Sequence, residues 1–93
     1  MPTTIPEQRL LVDASDREII ASLAKRFNSV KIIGTLKKEM GIPALDSKRW
    51  QELLEDRKSQ AQKAGISVQM VEEIFEIIHK YALEEESKLE IIR

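Results

Sequence analysis

The sequence predicts an all-α fold: a three-helix protomer with a long first helix, paired with a second copy as an intertwined homodimer. Apolar residues recur at spacings of three and four through three successive segments, each opened by a capping residue, the first two closed by glycine. No alternating strand pattern competes with them. The first segment is also far longer than either of the others, which is the observation that predicts the pairing.

Thr4-Ile5-Pro6-Glu7 has the form of a capping box with proline in the first turn, and the apolar periodicity then runs to Met40 before Gly41-Ile42-Pro43 breaks it. The spacing predicts one helix of about 36 residues and about 50 Å. Ser15-Asp16-Arg17-Glu18 is a second capping box, which would leave Arg9 on a separate short segment; Leu10, Leu11 and Val12 continue the apolar face and favour the long helix. Asp46 or Ser47 can cap a second helix through Trp50, Leu53, Leu54, Ala61 and Ala64, with Gly65 as its left-handed stop. Lys58 and Lys63 suit its negative end. Ser67 caps a third, in which Val71, Ile74, Phe75, Ile78, Ala82 and Leu89 line one face to the end of the chain. Residues 1–93 read as one domain.

A first helix of about 36 residues cannot be covered by helices of about 18 and 25, so its excess apolar surface calls for another chain. Two long helices running past each other would bring residues near one N-terminus beside the middle of the partner, and Arg9 would then serve the neighbouring subunit.

At 93 residues the chain supports one small domain that gains from oligomerisation. The absence of cysteine removes disulfides and thiol nucleophiles, and a single histidine leaves no thiolate- or imidazole-rich metal site. The apolar runs are too short for a membrane span and the N-terminus lacks the order of a signal peptide, so the expectation is a cytoplasmic protein. Fifteen Lys and Arg against sixteen Asp and Glu argue against a surface devoted to nucleic acid.

Arg9, Val12, Asp16, Ile19, Leu23, Arg26, Val30, Ile33 and Lys37 follow one another at alternating spacings of three and four, so one seam carries three cations and one carboxylate. An unpaired buried charge costs roughly several kcal/mol, and a bound dianion would resolve the conflict. Arg26 and Lys37 are three turns apart, roughly 16 Å at the backbone, and can converge on one ligand; each can equally snorkel or pair with Asp16 or a glutamate of helix three. Asp46, Arg49 and Trp50 share one face at the start of helix two. Asp46 fits a plain N-cap and Arg49 a surface cation lying on the Trp50 ring, while the bidentate chemistry of arginine makes the corner an acid-binding candidate. On helix three, Ala82 and Glu86 keep register with the apolar stripe; the rest of Glu84-Glu85-Glu86 reads as a solvated face. His79 has no sequence partner and reads as a surface or satisfied position, Tyr81 as packing.

With these residues placed, the chain resembles the all-helical chorismate mutases over nearly its whole length. The family's N-terminal arginine, second arginine seventeen residues on, lysine eleven later and Asp-x-x-Arg after a Gly/Pro-containing turn are met by Arg9, Arg26, Lys37, Asp46 and Arg49. The resemblance implies an intertwined dimer with two equivalent sites, each completed by Arg9 of the partner, that rearranges the dicarboxylate chorismate to prephenate. The step is unimolecular and pericyclic, and so implies no cofactor, metal or nucleophile. Arg9 and Arg26 would hold the two carboxylates, Lys37 would stabilise charge on the breaking ether oxygen, Arg49 would support the carboxylate side and Asp46 would face the ring hydroxyl.

The chain departs from the family pattern at three places. Trp50 stands where the family often has a glutamate that contacts the substrate hydroxyl. Ala82 replaces a frequent serine, and Glu86 occupies the place of a glutamine opposite the ether oxygen, where a carboxylate donates a hydrogen bond only while protonated. An isochorismate pyruvate-lyase of the same architecture is the alternative activity, and a non-catalytic helical dimer or regulatory module is the alternative outside enzymes.

Overall fold

The computed structural model describes residues 2–90, with side chains through residue 88. It contains helices α1 (Ile5–Met40), α2 (Ser47–Ala64) and α3 (Val68–Glu90), with no strand among the described residues. The long first helix is continuous through Ser15, so the alternative start there is not used. The predicted place of Leu89 on the α3 face lies outside the described side chains.

Each boundary has a local cause. The Thr4 hydroxyl accepts from the Glu7 N–H at 3.2 Å while the Thr4 N–H donates back to the Glu7 carboxylate at 3.2 Å, which completes the capping box. Asp46, rather than Ser47, caps α2 through an Oδ1 that accepts from the Arg49 N–H at 3.0 Å. The Ser67 hydroxyl does the same for α3, accepting from the Met70 N–H at 3.0 Å. Both α1 and α2 end in Schellman motifs, with Gly41 at φ 69° and Gly65 at φ 74°. The Ile42 and Ile66 N–H groups close the longer bonds, to Lys37 and Ala61. At the α2 terminus only Lys63 lies in the last turn; Lys58 sits further back and pairs loosely with Glu55 at 3.9 Å.

Helix α3 packs against both α1 and α2, which do not pack against each other. The buried apolar residues are small or medium: Val30, Ala44, Leu53, Ala61, Val71 and Ala82, and among the described residues no large side chain is fully enclosed. The α1 seam therefore splits. Its C-terminal half is mostly covered, with Val30 buried, Leu23, Arg26 and Lys37 half-buried and Ile33 45% exposed; in its N-terminal half Arg9, Val12, Asp16 and Ile19 are exposed. This agrees with the expectation that the other helices of the protomer cannot cover the whole of the first, because α3 is long enough to cover only part of α1. Leu10, Leu11, Val12, Ile19 and Ile20 are all more than half exposed. The radius of gyration, 17.0 Å, exceeds the roughly 12 Å of a compact domain of this length. No helix among the described residues is long and apolar enough to cross a membrane.

Candidate active site

The covered half of α1 sends Lys37 toward α3. Its ammonium lies 2.9 Å from Glu86 Oε1 and donates to the Ala44 carbonyl at 2.7 Å, so one side chain ties together α1, α3 and the loop that leads into α2. Glu86 is 9% exposed, and its Oε1 accepts no aligned hydrogen bond despite the ion pair. Glu84 is exposed and Glu85 half-exposed, as expected of a solvated run from which only Glu86 turns inward. Lys37 thus pairs with a helix-three glutamate rather than with Asp16.

Arg26, three turns earlier, is different. Its Nη1 is buried with no hydrogen-bond partner, and no carboxylate among the described residues lies within ion-pair distance of it. Burial and the repulsion of Arg57 and Arg49 lower its pKa from the ordinary arginine value. The proposed pairing with Asp16 does not occur, because Asp16 faces solvent on the uncovered half of α1. The charges of Arg57 and Arg49 thus act on an Arg26 that has no carboxylate of its own among the described residues.

Arg57 was not among the residues singled out from sequence. Arg49, Leu53 and Arg57 stand four apart and share one stripe of α2, a signal that was available. Leu53 of that stripe is buried. Arg57 is half-buried, pairs with the adjacent Asp56 and lies over the Phe75 ring, 5.8 Å from its centroid. Beyond Phe75 a groove of about 510 Å³ runs along α1 past Arg26, Leu23, Ile19 and Ser15.

At the start of α2, Asp46 is exposed and one of its oxygens is engaged in the cap. Arg49 is also exposed, and it does not lie on Trp50. The Trp50 ring stacks instead on His79, centroids 3.9 Å apart and planes 11° from parallel. His79 is therefore half-buried against an aromatic partner, which its lack of a sequence partner did not announce. Burial lowers its pKa from the ordinary 6.5; Glu86 opposes that shift and Arg26 reinforces it. Tyr81, expected to pack, is 51% exposed with Lys80 over its ring. Ala82 is buried on the face of α3 between His79 and Glu86.

Arg9 lies seventeen residues before Arg26 on a straight helix, about 25 Å away at 1.5 Å per residue, and cannot reach the site of its own chain. Arg26, Lys37, Glu86, Ala82, Trp50 and His79 thus lie on covered or half-covered faces, Arg49 and Asp46 on the rim, and Arg9 apart.

The family model for chorismate mutase type II matches residues 8–87. The chain belongs to the chorismate mutase type II family. The matched span opens just before Arg9 and closes just after Glu86, so it encloses every candidate site residue. The chain is also similar to the T-protein of Haemophilus influenzae, 34% identical over 70 residues that make up 75% of this chain and 19% of the T-protein. It thus spans about a fifth of the length of that relative. No solved structure gives a significant match. Within a chorismate mutase type II domain, the covered half of α1, the first turn of α2 and the inward face of α3 would be the surfaces on which binding chemistry is built.

Proposed function

We propose that the protein is a chorismate mutase that converts chorismate to prephenate at two equivalent sites of a homodimer. The observation that carries this reading is Arg26: a buried guanidinium nitrogen without a partner, repelled by Arg49 and Arg57, inside a family match that names the reaction. A dicarboxylate meets that need where a neutral ligand does not.

In this reading Arg26 and the partner subunit's Arg9 hold the two carboxylates in the compact geometry from which the ether C–O bond breaks as the new C–C bond forms. Holding a flexible substrate in that geometry removes much of the barrier as prepaid entropy. Lys37, fixed by the Ala44 carbonyl, is aimed at the ether oxygen where charge develops, and needs little reorganisation to stabilise it. Glu86 can assist at the same oxygen only as the neutral acid, because an ionised carboxylate has no proton to donate. Arg49 supports the carboxylate side from the rim, and Asp46 and Ala82 complete the wall. The uncovered apolar half of α1 supports the dimer, and the reading includes a cytoplasmic setting.

A second reading, isochorismate pyruvate-lyase, draws on one observation: position 50 presents an indole stacked on an imidazole rather than a carboxylate. Following the loss of chorismate and of isochorismate, with identification of the products, tests both. Prephenate from chorismate is expected; pyruvate release from isochorismate with chorismate untouched would replace the first reading by the second.

A further inference from the structure

Trp50 and His79 are the only tryptophan and the only histidine of the chain, and they are stacked on each other. The stack joins the first turn of α2 to the middle of α3. His79, Ala82 and Glu86 stand at i, i+3 and i+7, so the imidazole lies on the same face of α3 as the buried carboxylate. The charges of Glu86 and Arg26 both act on it.

Stacking covers one face of each ring and leaves the ring edges open. The polar atoms of imidazole and indole lie at those edges, in the ring plane. Neither His79 nitrogen and no indole N–H makes a hydrogen bond to another described residue, and none of them is a fully enclosed orphan. They therefore keep some exposure. In the chorismate reading, a ligand whose carboxylates meet the arginines would present its ring to this wall, and chorismate carries a hydroxyl on that ring. The hydroxyl needs an acceptor for its proton. Trp50 can only donate, whereas a neutral imidazole offers one lone pair and one N–H. Asp46 is exposed, with an oxygen already committed to capping α2.

We propose that His79 is a further substrate-binding residue that accepts the hydrogen bond of the substrate's ring hydroxyl, and that Trp50 is the positioning residue that holds the imidazole in place. Burial, which favours the neutral imidazole, keeps the required lone pair available. The inference rests on the chorismate reading above and deepens it.

The test compares chorismate with its analogue lacking the ring hydroxyl, using the intact dimer. Wild type should prefer chorismate by about tenfold in kcat/KM, the worth of one hydrogen bond. His79→Phe keeps a flat ring against Trp50 but has no lone pair in its plane; it should lose most of that preference through a raised KM for chorismate, with the analogue little affected. His79→Leu should lose it as well and serves if the phenylalanine variant does not fold. His79→Gln, which retains an acceptor, should keep more of the preference than His79→Leu. Emission from Trp50, the sole indole, reports occupancy of the site without turnover and should change when chorismate is added to wild type. Turnover with an undiminished hydroxyl preference in the phenylalanine and leucine variants overturns the proposal alone. Absence of both turnover and an emission change in wild type overturns the chorismate reading, and this proposal with it.

Discussion

Arg26 is the residue at which folding and binding pull in opposite directions. Its Nη1 is buried without a partner and two further arginines repel it, so in the free protein its charge works against the fold. Arg26→Met keeps the length of the stem and removes the charge. It should stabilise the free protein by on the order of 1 kcal/mol, the cost of an unsatisfied buried donor, raising the melting temperature by several degrees, while turnover is lost. A melting temperature below that of wild type would show that the guanidinium is satisfied in the dimer. Glu86→Gln supplies a permanent donor of nearly the same shape. Turnover at neutral pH should be preserved or raised, as steady-state kinetics will show; a loss of turnover would mean that Glu86 is not the donor at the ether oxygen. His79 gives a pH dependence of stability. Its folded-state pKa lies below the unfolded 6.5, chiefly through burial, so the unfolded chain takes up the proton first. Its contribution is fully present above pH 6.5 and is lost as pH falls below it. Melting curves from pH 7.5 to 5 should therefore decline more steeply for wild type than for His79→Phe. The cations were legible in the sequence because charge on an apolar stripe is conspicuous at helical spacing. The Trp50–His79 stack was not, because residues 29 positions apart meet only once two helices have been packed, and no local pattern announces which aromatic neighbour a histidine will find.

The elements themselves were written locally. The Thr4 capping box, the Asp46 and Ser67 caps and the glycines at 41 and 65 each act within a few residues of the boundary they set: all three helices begin, and the first two end, at these residues. What the pattern could not show was how much of α1 its own protomer would cover: the same spacing of three and four continues through the covered and uncovered halves alike. Asp46 illustrates a residue with two readings at once. Its Oδ1 caps α2, and α2 carries Arg49 and Trp50 in its first turn, so loss of the cap disturbs the site even if the carboxylate never touches substrate. Asp46→Ala should cost about 1 kcal/mol of stability. Asp46→Ser, which can cap, should melt near wild type. Activity of the serine variant then isolates the second oxygen: recovery to wild-type level would assign Asp46 to capping alone, and a deficit at wild-type stability would assign it to the substrate.

At the scale of the whole molecule, the protomer is elongated, with extents of 60 × 23 × 15 Å, and it leaves the N-terminal half of α1 bare. Leu10, Leu11, Val12, Ile19 and Ile20 expose enough apolar surface that a folded monomer would lack much of its hydrophobic stabilisation. Sedimentation equilibrium at micromolar concentration should give twice the 10.7 kDa chain mass. The proposed dimer would also decide where Arg9 acts. It stands about 25 Å from Arg26 along a rigid helix, a distance that no side chain bridges, so within one chain the two arginines cannot hold the same dicarboxylate. In a symmetric pair of long helices, Arg9 of each protomer would lie beside the covered half of the other. Each site would then draw Arg26 from one chain and Arg9 from the other. Chains carrying Arg9→Ala alone or Arg26→Ala alone should both be inactive as homodimers. Mixed and allowed to exchange, they form heterodimers in which one site has lost both arginines and the other has kept both. Activity per heterodimer should therefore recover toward about half the wild-type value, while the intact site keeps the wild-type KM. If exchange is confirmed by mass and no activity returns, Arg9 does not complete the partner's site, and the charge on Arg26 must be met by the substrate alone.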